Sequence, residues 1–235
     1  MTATDLNHKQ PTNSHKKVRK PRNKSKHRRG VNELKIAILV SAEDESIVLD
    51  IENHILIRTE LPGSVRSICG VFEIVTCHFD RNTNNIDPSR PETARVKGDV
   101  HLTGKRLRRR KAHKLLKPLI APNHSALLGF RGPAASYWTV SGNHPSLTVV
   151  SPDRGPILLL RKDGSLWLRF GIGPNVEELP LVDERIIATV RSSGSRKFSG
   201  KNLQNVLGWK PRLIVVGLSA PQNGYCYKTV LGLLP

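Results

Sequence analysis

Aromatic side chains are scarce in this 235-residue chain, at 5% of all residues against 37% hydrophobic. Its core must therefore be built mainly from Leu, Ile and Val. The three cysteines, Cys69, Cys77 and Cys226, include no CxxC pair and are too few and scattered for a disulfide framework or a zinc knuckle. No apolar run approaches the roughly 18 residues that a membrane-spanning helix requires, and the amino terminus lacks the apolar stretch of a secretory signal. Lys richness, Pro11, Pro21 and poor amphipathic spacing argue against an organelle transit peptide. These absences predict a soluble protein of a reducing, intracellular compartment, cytoplasm or nucleus. Catalytic signatures are missing too: there is no P-loop, no dinucleotide-binding glycine motif, no HExxH and no GxSxG. The chain is expected to be no enzyme, to use no cofactor or metal and to take no small-molecule substrate.

What the chain does have is positive charge, +19 overall, with 38 Lys and Arg against 19 Asp and Glu. Residues 1–30 carry +9, with cations at Lys9, Lys16, Lys17, Arg19, Lys20, Arg22, Lys24, Lys26, Arg28 and Arg29 and the single acid Asp5. Residues 105–117 carry +8, from Lys105, Arg106, Arg108, Arg109, Arg110, Lys111, Lys114 and Lys117, with no acid among them. Outside these two stretches only +2 remains, so the rest of the chain is close to balanced.

Leu6 and Val18 are almost the only large apolar side chains before residue 31, too few to offset the entropy of ordering that stretch. Residues 1–30 are expected to form a flexible arm suited to neutralising phosphates, which gives tight, salt-sensitive and sequence-poor binding. A nuclear-localisation signal or a solubilising tail is the plainer alternative. In the internal cluster, Leu107, Leu115, Leu116, Leu119 and Ile120 interleave with the cations at spacings that predict an amphipathic helix ending before Pro118. Its apolar side would dock on the domain and its cations would face outward, as in arginine-rich RNA-binding segments. A merely solvated helix face is the other reading, but so many like charges in thirteen residues repel one another unless a polyanion screens them.

Residues 31–235 are expected to fold as one β-rich domain. Apolar runs at Leu34–Val40, Ile47–Ile51, His54–Thr59 and Val71–Phe79 predict strands, with turn chemistry at Leu61-Pro62-Gly63-Ser64. Residues 80–104, rich in Asn, Pro and Gly, predict a long exposed loop. Three hairpins are predicted, around Asp163-Gly164, Asn223-Gly224 and Ser141-Gly142-Asn143, the last joining Tyr137–Val140 to Leu147–Val150. Ile186–Val190 predicts a further strand and Lys201–Leu207 a short helix. The expected class is mainly β, an antiparallel, hairpin-rich sandwich or barrel with one or two short helices, with α+β as the alternative.

Weaker candidates complete the inventory. Tyr137, Trp138, Trp167, Trp209, Tyr225 and Tyr227 would stack bases if exposed, although core packing is the commoner fate of so few aromatics. Asp50 and Glu52, two apart, would share a strand face as metal-binding carboxylates do, and His78 lies near Asp80. Cys69 and Cys77 would join His78 as ligands only if they were not simply buried.

A basic amino-terminal arm joined to a β domain resembles the organisation of coat proteins of small icosahedral RNA viruses. The resemblance implies genome packaging through the arm, self-association of the β domain into a homo-oligomeric capsid, and residence in a virion. Nucleic acid, with RNA favoured, is the expected partner. A viral movement protein, a ribosome-associated RNA-binding protein and a metal-dependent nuclease are the alternatives.

Overall fold

A computed structural model describes residues 33–42, 45–80, 86–142 and 144–235, so the arm expected at residues 1–30 lies outside the described residues. The first sheet contains β1 (Leu34–Ser41), β2 (Ser46–Asp50), β3 (Ile55–Thr59), β4 (Glu73–Asp80) and β5 (Arg95–Arg106), in the order β3-β2-β1-β4-β5. Alternation along β1 divides its side chains between two cores. Ile36 and Ile38 join Val48, Ile57, Val75 and Cys77 beneath the short helix α1 (Gly63–Ile68). Ala37 and Leu39 join Leu49, Leu213, Val215 and Leu234 on the opposite face. The period of two therefore marks a strand covered on both sides.

The middle sheet has the order β6-β13-β12-β7, from β6 (Ala134–Ser136), β7 (Leu147–Val150), β12 (Leu213–Leu218) and β13 (Tyr225–Leu234). It shares its side chains in the same way. Leu213 and Val215 face the first sheet, whereas Ile214, Val216 and Leu218 enter a third core with Leu158, Leu168 and Phe170. These last belong to the third sheet, order β10-β9-β8-β11, of β8 (Arg154–Leu160), β9 (Leu166–Ile172), β10 (Asn175–Pro180) and β11 (Lys197–Ser199). Three sheets thus stack with apolar layers between them, and every ladder between these strands is antiparallel.

The mainly β, antiparallel expectation holds. The described residues contain five short helices rather than one or two: α1, α2 (Arg109–Leu116), α3 (Tyr137–Val140), α4 (Glu184–Arg191) and α5 (Gly200–Leu207). Two of the three expected hairpins form. In the β8–β9 turn, the Asp163 carboxylate accepts from the Ser165 amide at 2.9 Å while Gly164 adopts φ +81°. In the β12–β13 turn, Gln222 and Tyr225 exchange backbone hydrogen bonds of 2.8 and 3.0 Å around Asn223 at φ 51° and Gly224 at φ 81°, the signs a type I′ turn requires. A Cβ on Gly224 would meet nothing within 4 Å, so only backbone strain opposes one. Gly224→Ala should therefore cost about 1 kcal/mol in urea denaturation, whereas an unchanged midpoint would mean the turn relaxes freely.

Three expectations need correction. Tyr137–Val140 forms α3, and β7 pairs with β12 instead, so the hairpin expected between Tyr137–Val140 and Leu147–Val150 does not form. Ile186–Val190 lies within α4, whose first turn is capped by the Asp183 carboxylate accepting from the Arg185 amide, with Ile186 and Val190 buried on one face. Most of the expected 80–104 loop that is described is strand: β5 is an edge strand whose ladder to β4 is interrupted by register shifts and by Gly98 and Gly104 at φ 76° and 65°. Edge strands tolerate such irregularity because one side has no ladder to keep.

On the outer face of the third sheet, Glu178 of β10 lies opposite Arg169 of β9. Arg169 Nε donates to one of its oxygens at 2.7 Å and Arg161 Nη2 to the other at 2.8 Å, which holds the carboxyl below its usual range. A depressed carboxylate stabilises the fold above its unfolded pKa, and that contribution is lost as pH falls through the folded value. Glu178→Gln should cost less than about 1 kcal/mol at neutral pH, since the guanidinium groups are half exposed, and the difference should vanish on acidification. Urea midpoints across that pH range test this, and a gap that widened on acidification would contradict it.

Candidate nucleic-acid interface

The internal basic cluster is divided between two elements. Lys105 and Arg106 end β5, Arg108 occupies the position just before α2, and Arg109, Arg110, Lys111 and Lys114 lie on the helix, which passes through Lys117 into a turn at Pro118. The expectation of one helix from 105 is therefore corrected to a strand end, a corner and a helix. The corner forms because Leu107 plugs the core and its amide donates to the Phe72 carbonyl at 2.8 Å. Leu107, Ala112 and Leu116 are all buried against β1 and β12 residues, while all eight cations are exposed. Leu115, expected to dock, is half-buried. The anchor explains how a segment so highly charged stays folded: its apolar side chains fix the backbone and leave the charged ends in water.

Among the described residues none of the eight cations forms an ion pair with a carboxylate. Of their side chains only that of Arg106 makes a hydrogen bond among the described residues, its Nε donating to the Val71 carbonyl at 2.8 Å. The start of α2 carries no acid in its first turn and no side-chain cap, yet it holds Arg108, Arg109, Arg110 and Lys111. Cations there oppose the helix dipole at about 0.3–1 kcal/mol each at low salt. An anion placed at this corner removes the repulsion.

Further cations reach the cluster from distant sequence. Arg109, Arg110, His113 and Arg212 line a shallow cavity of about 360 Å³, where His113 Nε2 lies 2.7 Å from the Pro235 carbonyl oxygen. An adjoining cavity of about 410 Å³ shares His113 and Arg212 and adds Lys210, with Asp153 as its acid. A groove edged by Arg109, Arg110, Lys210 and Arg212 results. Lys210 and Arg212 flank Pro211 just before β12, and nothing in their local sequence separates them from ordinary surface cations.

The other candidates behave differently. Lys16, Lys17, Arg19, Lys20, Arg22, Lys24, Lys26, Arg28 and Arg29 lie outside the described residues. The preference for buried aromatics is overturned at three positions: Trp138 is 85% exposed, and Tyr225 and Tyr227 project outward on either side of buried Cys226. Trp209 and Tyr137 pack partly against the core, and Trp167 is capped by the Arg161 guanidinium 3.7 Å above its ring. The paired-carboxylate reading of Asp50 and Glu52 fails on geometry. Asp50 ends β2 and is buried, its oxygens accepting from the amides of Glu52 and Asn53 and from Asn53 Nδ2, while Glu52 lies in the turn that follows. Cys69 and Cys77 are buried thiols within the core beneath α1. Among the described residues no cluster of three His, Cys, Asp or Glu side chains is arranged to hold a metal, and no helix is long and apolar enough to cross a membrane.

No protein-family model and no curated protein matches the chain. Among solved structures it is similar to the p204 HINb domain, at 10% identity and a TM-score of 0.32 over 85% of this chain and 96% of that one. A second match comes from a structure described as the molecular basis for abrogation of activation of pro-inflammatory cytokines. It shows 6% identity and a TM-score of 0.30 over 89% of this chain and 99% of the other.

Proposed function

We propose that this chain is a non-enzymatic nucleic-acid-binding protein that grips the phosphate backbone at the corner between β5 and α2. The observation that carries the reading is the set of eight exposed cations, none paired with a carboxylate among the described residues, on a backbone fixed by buried Leu107, Ala112 and Leu116. Lys210 and Arg212 extend the same surface. Such a surface neutralises phosphates without reading bases, so its binding is strong at low salt and weak in sequence preference. Arginine-rich segments of this kind favour RNA, and the +9 of residues 1–30 supplies a second site of contact. The reading places the protein inside the cell wherever its nucleic acid lies.

Self-association and genome packaging, as in viral coat proteins, form the finer version of this reading, and the comparisons lend it no support. Purification without nuclease, followed by size-exclusion chromatography with absorbance at 260 and 280 nm, tests both levels. The expected result at low salt is a large species rich in nucleic acid that dissociates at high salt. Regular particles in that fraction would favour packaging, and heterogeneous ones transport or scaffolding. A nucleic-acid-free monomer at both salts would overturn the proposal.

A further inference from the structure

A second cationic site lies apart from the groove beside α2. The end of β3, α1 and the segment leading into β5 enclose a half-open cavity of about 660 Å³. Its walls include Arg58, Thr59, Arg66, Arg90, Thr93 and Arg95, with Glu45 and Glu60 as the acids. Four guanidinium groups against two carboxylates leave the lining net positive.

Arg58 decides what this cavity suits, because it is only 2% exposed. Its Nη1 pairs with Glu45 and its Nη2 donates to the Ser146 carbonyl at 3.3 Å, but its Nε is buried with no hydrogen-bond partner among the described residues. Thr59, 3% exposed, has a hydroxyl in the same condition, and so does Thr93. Buried donors without partners cost free energy, and a native fold keeps them where something else satisfies them. Burial, followed by the nearby Arg90 charge, lowers Arg58 to about 9, with Glu92 and Asp87 pulling the other way. Among the described residues Arg90 reaches only long ion pairs, 3.6 Å to Glu45 and 3.7 Å to Asp87.

We propose that this cavity binds a phosphate monoester, with Arg58, Arg90, Thr59 and Thr93 as donors to its oxygens. Guanidinium and hydroxyl donors converging from several elements suit a tetrahedral dianion with many acceptor sites. The volume exceeds what a bare phosphate needs and falls in the range of small-molecule sites, so the ester carries a group of roughly nucleoside size. Two sources share this chemistry, a free nucleoside monophosphate and the terminal phosphate of a nucleic-acid strand. The site is independent of the proposed α2 interface.

The test is calorimetric titration of inorganic phosphate, adenosine 5′-monophosphate, and 5′-phosphorylated and 5′-hydroxyl oligonucleotides. It uses the full chain carrying Arg108→Gln, Arg109→Gln and Arg110→Gln, which weakens the competing surface. Saturable binding of phosphate and nucleotide is expected, weakened about tenfold or more by Arg90→Gln combined with Thr93→Val. If that pair proves unstable, Thr93→Val alone, nearly unchanged in shape, decides the matter by the loss of a single donor. A 5′-phosphate preference among the oligonucleotides identifies a strand end, and its absence identifies a free nucleotide. No binding at millimolar concentration, or binding unchanged by Thr93→Val, overturns the proposal while leaving the α2 reading intact.

Discussion

Replacing Arg108, Arg109 and Arg110 together with Gln should weaken nucleic-acid binding while leaving the protein folded and slightly more stable. The three side chains are exposed, and the residues anchoring the segment, Leu107, Ala112 and Leu116, are untouched. If each arginine meets one phosphate, the dependence of log K on log salt should become shallower by about 2 to 3, because each contact contributes roughly 0.7–0.9 to that slope. Stability in the absence of nucleic acid should rise by a few tenths to about 1 kcal/mol, since cations at the start of α2 oppose its dipole. The opposite signs give the experiment its force. A general loss of structure lowers both quantities, and a purely solvated surface leaves binding unchanged while stability still rises. Fluorescence anisotropy across a salt series, paired with urea denaturation, reads both. Deletion of residues 1–30 then shows by its own slope change whether the arm engages separate phosphates, because contributions from distant sites add.

The second large effect concerns stability. Arg58→Met should cost about 3–5 kcal/mol, because removing one member of a buried charged network strands its partners. Arg58 connects Glu45 to the Ser146 carbonyl, and Ser146 is held in turn by Glu92, its amide donating to one carboxylate oxygen at 2.8 Å and its hydroxyl to the other at 2.5 Å. This network joins β3 of the first sheet to the start of β7 in the middle sheet, so its loss loosens the junction between layers. Met keeps most of the volume, which confines the loss to the polar terms. The urea midpoint should fall, and a change below about 1 kcal/mol would show that solvent enters and satisfies the stranded groups.

Local chemistry explains which parts of this fold were readable in sequence. Asp163-Gly164 and Asn223-Gly224 each carry their turn within a few residues, and both hairpins form around them. The Ser141-Gly142 signal did mark a change of direction, with Gly142 at φ 82°, but Tyr137–Val140 before it is helical and the expected strand after it, β7, pairs with β12. The β-branched run Ile186–Val190 resembled a strand, although Asp183-Glu184 ahead of it is helix-start chemistry that outweighs that preference. β5 was hidden because its exposed side chains and interrupting glycines give no period of two. The eight cations of the cluster were found by density alone. Lys210, Arg212 and Arg58 were not, since a cation's surroundings are set by residues far along the chain.

The three free thiols sit in two places, Cys226 in the core between the middle and third sheets, Cys69 and Cys77 in the core beneath α1. Burial raises Cys77 to about 12, and Cys69 is raised as well, so neither offers much thiolate to an alkylating reagent while the fold is closed. Alkylation must therefore wait for the polypeptide to open around each sulfur, and the rate of modification becomes a clock for that opening. Peptide-resolved labelling with a maleimide then times two regions of one molecule at once, with no engineered probe. A ligand seated in the cavity beside α1 should slow the clock at Cys69 and Cys77 and leave the one at Cys226 running at its own pace.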